Sequence, residues 1–395
     1  MTIESTKTYG SERQAAVYIA GLGGQKPALP ISVEGLERAA SKHLSPEAFG
    51  YIAGGAGGGA TVRANLEAFH RWRLVPRMLR DVSGRSLATT VLGMDLPAPF
   101  MLAPIGVQSI AHADAEVAAA RAAASLGLPF VTSTAASRTL EDVAAAVGET
   151  PHVFQLYWGR NPELTASLLA RAEAAGYGAV LVTLDTSILG WREDDIQHAY
   201  LPFLQGEGLA NYFSDPVFRA ALVKPPEEDL LGAVAYFVTI FTNPTLTWDD
   251  VAFLREHTRL PLVLKGILHP EDARAAVEHG AHGVVVSNHG GRQVDGAIAA
   301  LDALPAVAEA VAGRATILFD SGIRRGADVL KAIALGADAV LLGRPYIYGL
   351  ALGGEGGVRD VLDNFLADLD LALALSGHTS PRALGPGDLV PAPHS

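Results

Sequence analysis

Gly283-Val284-Val285-Val286-Ser287-Asn288-His289-Gly290-Gly291-Arg292-Gln293 is the stretch from which the rest of the chain can be read. A run from Gly283 to Val286 is followed at once by a polar cluster. The run shows no polar alternation. Strands covered on both faces are continuously apolar, so it reads as a buried parallel strand. The cluster places a base (His289), a fixed cation (Arg292) and two hydrogen-bonding side chains (Ser287, Asn288) on one short loop. Its glycines let the backbone bend and come close to a ligand. A lone histidine after a strand is more often structural. Histidine, paired glycines and arginine together at a strand's C-terminal end point to a site.

Runs of the same kind recur at 100–103, 129–132, 153–156, 179–183, 261–264, 316–319 and 339–342. Between them lie alanine-rich stretches with helical spacing at 113–126, 140–147, 162–175, 270–279, 301–312 and 326–335. Strands alternating with helices imply parallel βαβ units, and eight strands is the count that closes a barrel. A doubly wound open sheet would carry Gly-x-Gly-x-x-Gly after its first strand. Here Pro104-Ile105-Gly106-Val107-Gln108 follows instead. The expectation is one α/β chain: a (β/α)8 TIM barrel over 97–380, an N-terminal helical extension over 1–96 and a tail over 381–395.

Residues 1–30 read as an arm lying on the rest of the chain or on a neighbouring subunit. Helical spacing covers 33–43, 46–53 and 61–72. The glycine run 54–59 is not followed by Lys-Ser/Thr, so it is not a phosphate loop. It reads as a helix end and a flexible turn. The rhythm breaks once, after the fourth strand, where an insertion rich in aromatics covers about 201–247. Loops beyond about 12–15 residues are usually functional, and this one reads as a packed lid over the site.

Several strand ends carry chemistry. The third ends in Gln155 and Tyr157, and the fourth in Thr183 and Asp185 with Arg192 beyond. The fifth ends in Lys265, and the sixth gives Ser287, His289 and Arg292. The seventh ends in Asp320-Ser321-Gly322 with Arg324 and Arg325, and the eighth in Gly343-Arg344. In a barrel these ends share one rim. The last two stand where barrels commonly bind phosphate, and backbone amides with arginine suit a phosphate dianion. The residues alone therefore suggest a phosphate-bearing ligand beside a His/Arg/Asp/Tyr/Lys site.

Composition excludes other classes. Charged residues make up 18% and apolar residues 49% of the 395, a globular balance. The net charge of −12 argues against a nucleic-acid partner, and an anionic substrate would need local arginines. With no cysteine, disulfides and thiolate metal sites are excluded, and no metal is expected. The same absence suits a reducing cytoplasm. No secretory leader or membrane-spanning run is expected.

The stretch 287–293 resembles the signature of the FMN-dependent α-hydroxy acid oxidases and dehydrogenases. That family includes glycolate oxidase, lactate oxidase, lactate 2-monooxygenase and mandelate dehydrogenase. Further motifs agree in order: Gly50-Tyr51-Ile52-Ala53-Gly54, Ala103-Pro104-Ile105-Gly106, Phe154-Gln155-Leu156-Tyr157, Thr183-Leu184-Asp185-Thr186, Leu264-Lys265-Gly266, Asp320-Ser321-Gly322-Ile323-Arg324 and Gly343-Arg344-Pro345. The resemblance runs over about 32–377. Within the family, 185–192 and the insertion segments 202–204, 211–212 and 215–218 are most similar to the lactate 2-monooxygenases.

The resemblance implies FMN as cofactor and these roles. His289 takes a proton from the substrate, and Asp185 stabilises the imidazolium. Arg292 and Arg192 hold the substrate carboxylate, and Tyr51 and Tyr157 donate hydrogen bonds. Lys265 sits by the flavin N1–C2 edge, and Pro104, Ile105 and Gly106 present backbone near N5. Ser133, Gln155, Thr183 and Ser287 bind the isoalloxazine or ribityl portion. Asp320, Ser321, Gly322, Arg324, Gly343 and Arg344 bind ribityl and phosphate. Ala135 lies where glycolate oxidase has a tryptophan, which implies room beside the substrate. The implied reaction is oxidation of L-2-hydroxy acids by O2, with conversion of L-lactate to acetate, CO2 and water as the expected output. The alternatives are an oxidase releasing keto acid and H2O2, a non-redox FMN isomerase, and a silent phosphate-ligand-binding barrel. A homotetramer or larger assembly is implied by the resemblance alone.

Overall fold

A computed structural model describes residues 8–392. The eight runs form β1 (Phe100–Leu102), β2 (Phe130–Ser133), β3 (His152–Tyr157), β4 (Val180–Thr183), β5 (Leu262–Ile267), β6 (Gly283–Val286), β7 (Thr316–Phe319) and β8 (Ala339–Leu342). They pair in chain order, all parallel, and β8 closes onto β1. The expected (β/α)8 barrel is the fold. Alternate strand residues fill its interior, among them Met101, Val131, Val153, Leu181, Val263, Val285, Leu318 and Leu341. Their neighbours, such as Phe100, Phe130, Phe154, Val182, Leu264 and Val284, pack outward against the helices. Both faces are dry, which is why the runs show no alternation. Each large side chain so buried contributes roughly 1.5–3 kcal/mol.

No element was expected between 73 and 96, yet Thr89–Val91 and Met94–Leu96 form an antiparallel hairpin. Val91, Met94 and Leu96 join the interior cluster and plug the barrel's N-terminal end. A Cβ added at Gly178, just before β4, would lie 3.2 Å from the Met94 sulfur. The plug leaves the C-terminal rim as the open end. The helix expected to reach Trp72 stops at His70, because Trp72–Leu74 pairs with Leu389–Pro391 near the chain's end.

Within the arm, Tyr9–Leu22 is a helix, and it lies on this chain's own last helix, Arg344–Leu375. The Gly10 amide donates to Asp370 at 2.9 Å, and Arg13 reaches Asn364 and Asp360. A Cβ at Gly10 would meet Leu371 at 2.4 Å, so this approach requires glycine. The part of the arm before residue 8 lies outside the described residues, as do 393–395 of the tail.

The flexible turn expected at 54–59 is a correction. The Ala56 amide donates to the Gly291 carbonyl and the Gly57 amide to the Trp191 carbonyl, each at 2.8 Å. The glycines allow two rim loops to close on this segment and fix it. Trp191 itself is exposed.

The insertion is a packed layer, as expected. Its helix Leu230–Phe241 supplies Phe237 and Phe241, whose tilted rings lie 4.8 Å apart and meet Phe203 at 5.5 Å. Buried Asn211 donates to the Ser133 and Thr134 carbonyls at the end of β2. The Arg160 amide after β3 donates to the Ile240 carbonyl. The lid is therefore bonded to the rim it covers. Among the described residues, no helix is long and apolar enough to cross a membrane.

Candidate active site

The stretch after β6 takes a conformation that few sequences tolerate. His289, Gly290 and Gly291 all have positive φ, at 58°, 65° and 79°. Only glycine adopts this readily, and a strained histidine is a mark of function. Asn288 holds the turn: its Oδ1 accepts from the Gly291 amide and from Asn65, and its amide donates back to Asn65. A Cβ at Gly291 would meet the Val62 nitrogen at 2.7 Å.

The turn delivers His289 to Asp185, with Nδ1 and Oδ1 2.8 Å apart. Nδ1 is thereby occupied, which leaves Nε2 for a ligand. Burial pulls the imidazole pKa below its ordinary value; Asp185 works the other way and Lys265 reinforces burial. His289 is therefore a neutral base at physiological pH. Burial would raise the Asp185 carboxyl, but Lys265 and then His289 overcome that and hold it well below the usual range. For Lys265, burial disfavours the charge, and Asp185 and Asp320 outweigh it, so the ammonium persists. Its Nζ donates to Ser287 at 2.9 Å and lies 3.6 Å from Asp185 and 3.5 Å from Asp320. A bulge at the end of β5 aims this lysine, and Gly266 inside it has φ 106°.

These groups face a cavity of about 1130 Å3, counted with its open mouth. All five residues expected at the substrate line it: Tyr51, Tyr157, Arg192, His289 and Arg292. The Arg292 guanidinium sits 5.0 Å over the Tyr51 ring and donates to the Tyr51 and Gly54 carbonyls. Burial, then neighbouring Arg192, lower its pKa to about 9. Two guanidinium groups this close in a dry pocket call for an anion. Tyr157 is pushed up to about 12, mainly by burial and then by Tyr51, so it stays a hydrogen-bond donor.

Of the residues expected at the cofactor, Pro104, Ile105, Gly106, Gln155, Thr183, Lys265, Asp320, Ser321, Gly322, Arg324, Gly343 and Arg344 line the same cavity. Ser133 and Ser287 do not. They are buried one layer back, where Ser133 donates to Gln155, and Gln155 donates to Thr183. Asp185 likewise stands behind the lining residues, in contact with His289 and Lys265. Ala135 is buried against Gly106 and leaves no opening. The insertion fills the space beside it: a Cβ at Gly208 would meet both the Ala135 carbonyl, at 2.9 Å, and Phe203, at 3.2 Å.

Sequence reasoning missed Thr186, Leu189, Phe203 and Phe241 as lining residues. It also missed Tyr346 and Gln108, which brace the strip Ala103–Gly106 by bonding the Ala103 and Ile105 carbonyls. Tyr346 carries no local signature. Phe203 and Phe241 did lie in the insertion singled out for its aromatics, and Thr186 and Leu189 in segments quoted for the family resemblance.

The donor set fits FMN. Arg344 is buried, and its guanidinium contacts only backbone carbonyls, those of Ile52, Gly54 and Gly290. Arg324 contacts the Ile323 carbonyl. Neither has a carboxylate ion-pair partner among the described residues, and burial lowers the Arg344 pKa. A phosphate dianion would supply the missing charge. Lys265, held charged, and the strip Pro104–Gly106 line the same cavity and would hold the flavin ring.

The chain matches the family model described as FMN-dependent dehydrogenase over residues 40–391. It is 46% identical to an L-lactate oxidase of Lysinibacillus sphaericus, covering 90% of this chain and 91% of that one. It is 42% identical to 2-hydroxyacid oxidase 1 of Homo sapiens, over 88% of this chain and 93% of the relative. A crystal structure of mandelate oxidase superposes with a TM-score of 0.80 at 40% identity, covering 90% of this chain and 96% of the other. With this match over nearly its whole length, the chain belongs to the FMN-dependent dehydrogenase family, and FMN is its cofactor.

Proposed function

We propose that the chain oxidises short L-2-hydroxy acids of the lactate class with O2 as acceptor, releasing the 2-keto acid and H2O2. The observation that carries this reading is the buried Arg192 and Arg292 pair beside the His289–Asp185 pair in one cavity. A 2-hydroxy acid has a carboxylate for the arginines and a proton for the base. Bound FMN would accept the two electrons and pass them to O2. The carboxylate would sit in the guanidinium forks, and Tyr51 and Tyr157 would donate to the substrate oxygens. His289 would take the substrate proton at Nε2, and Asp185 would stabilise the resulting charge through Nδ1. The arginine pair disfavours an isomerase or silent-barrel reading, neither of which needs it. The relatives described above carry oxidase names, which supports release of the keto acid.

A second reading, coupled oxidative decarboxylation, is favoured by the lid. Phe203 and Phe241 line the cavity, and Phe241 packs 5.2 Å from the Tyr157 ring. A lid bonded to the rim would hold the keto acid long enough for peroxide to attack it. Product analysis with L-lactate in air separates the two. The oxidase reading expects stoichiometric pyruvate and H2O2 from the first turnovers. Acetate and CO2 without free peroxide would reject it for the second. The reading also has the enzyme as a cytoplasmic homo-oligomer. The missing cysteines suit that compartment, and exposed Ile188 and Trp191 near the mouth suit a subunit contact.

A further inference from the structure

Gln293 closes the stretch that decides the fold, and nothing above gives it a role. Its side chain makes contacts in two directions. Oε1 accepts from an Arg192 Nη at 3.0 Å and lies 3.4 Å from the Gly190 amide. Nε2 donates to the Asp185 carbonyl at 2.6 Å and to the Ile188 carbonyl at 3.0 Å. One neutral amide thus ties the Arg192 guanidinium to the backbone of the loop that carries Asp185.

Arg192 needs such a tie. It stands beside Arg292, and like charges in a dry pocket repel. The acid close to it, Asp195, is 3.9 Å away, too far for a hydrogen bond. A second neutral anchor is the Arg292 carbonyl, which accepts from Nε at 3.2 Å, and the Tyr51 hydroxyl also bonds the guanidinium. These anchors are neutral, so none consumes the positive charge that a substrate carboxylate would use.

We propose that Gln293 is the positioning residue of the carboxylate clamp, holding Arg192 next to Arg292 while leaving both charges for the substrate. The chemistry selects this residue type. The position needs an acceptor for a guanidinium and two donors for carbonyls, which an amide supplies and a carboxylate does not. Asparagine is one methylene too short to span both. The inference rests on the 2-hydroxy acid reading above.

The test uses FMN-loaded enzyme and two substitutions. Gln293→Met keeps the length and loses all four contacts. Gln293→Glu keeps the acceptor, loses the donors and neutralises Arg192. Pyruvate binding is read from the perturbed flavin spectrum, and KM and kcat are measured with L-lactate. FMN content and Tm are recorded in parallel. The expected result is retained FMN, with pyruvate Kd and L-lactate KM raised about tenfold or more, the loss of one charge-assisted hydrogen bond. The Glu variant should bind more weakly than the Met variant, and kcat at saturation should fall less than kcat/KM. A Met or Glu variant with FMN bound and wild-type Kd and KM overturns the proposal. So does loss of FMN and fold in both, which would make Gln293 a loop brace. Wild-type enzyme that neither oxidises a 2-hydroxy acid nor binds pyruvate would instead overturn the functional reading.

Discussion

His289 joins three constraints in one residue: a left-handed backbone, a carboxylate at 2.8 Å on Nδ1 and a cavity in front. The pH dependence follows from the environment of its ring. Burial lowers its pKa, so the neutral, proton-accepting form persists to pH values below the ordinary histidine range. Rate therefore should hold steady on acidification through about pH 6.5 and fall only below it. A kcat/KM profile whose acid limb lies above that value would mean that Asp185 dominates and the base is stabilised as its cation. The histidine was legible in the sequence because it stands beside two glycines and an arginine after an apolar run. Thr186 was not, although its hydroxyl bonds the same Asp185 oxygen at 3.0 Å. Its motif, Thr183-Leu184-Asp185-Thr186, assigns it no contact, and only the fold shows what it faces.

At the scale of elements, the bulge ending β5 is the device that brings Lys265 and Asp185 together. Gly266 has φ 106°, and a Cβ there would lie 2.8 Å from that of Asp185. Gly266→Ala should destabilise the protein by about 1–3 kcal/mol and displace Asp185 from His289. Thermal unfolding reads the first effect and the rate of flavin reduction the second. Wild-type values for both would show that the bulge relaxes freely. The barrel strands were legible because strands buried on both faces are uninterrupted apolar runs. The hairpin Thr89–Val91 and Met94–Leu96 was not, because three-residue strands are too short to show a period. The helix Tyr9–Leu22 was missed for a different reason. Its stability comes from Asp370 and Leu371, more than 350 residues away in sequence.

For the whole molecule, the account makes FMN part of the folded state. Arg324 and Arg344, at the β7 and β8 ends, have no carboxylate ion-pair partner among the described residues, so the cofactor's phosphate should complete them. A ligand at about a hundredfold excess over its Kd stabilises by about 2.7 kcal/mol, and FMN should raise the Tm of apoprotein accordingly. Arg344→Ala should need far more FMN for the same rise. Equal titration curves for the two proteins would move the phosphate elsewhere. The lid's place above the rim was legible from its length and aromatics, while its bonds to Ser133, Thr134 and Arg160 were not, since such contacts exist only once the barrel is closed. The central claim is that a 2-hydroxy acid, gripped by arginines and deprotonated by His289, reduces the bound FMN. Its most direct test is anaerobic mixing of the holoenzyme with L-lactate while flavin absorbance is followed, for wild type and His289→Gln. The account predicts rapid bleaching in the wild type and a rate lower by about 10²–10⁴ in the variant, with FMN still bound. Bleaching of the variant at the wild-type rate would contradict it.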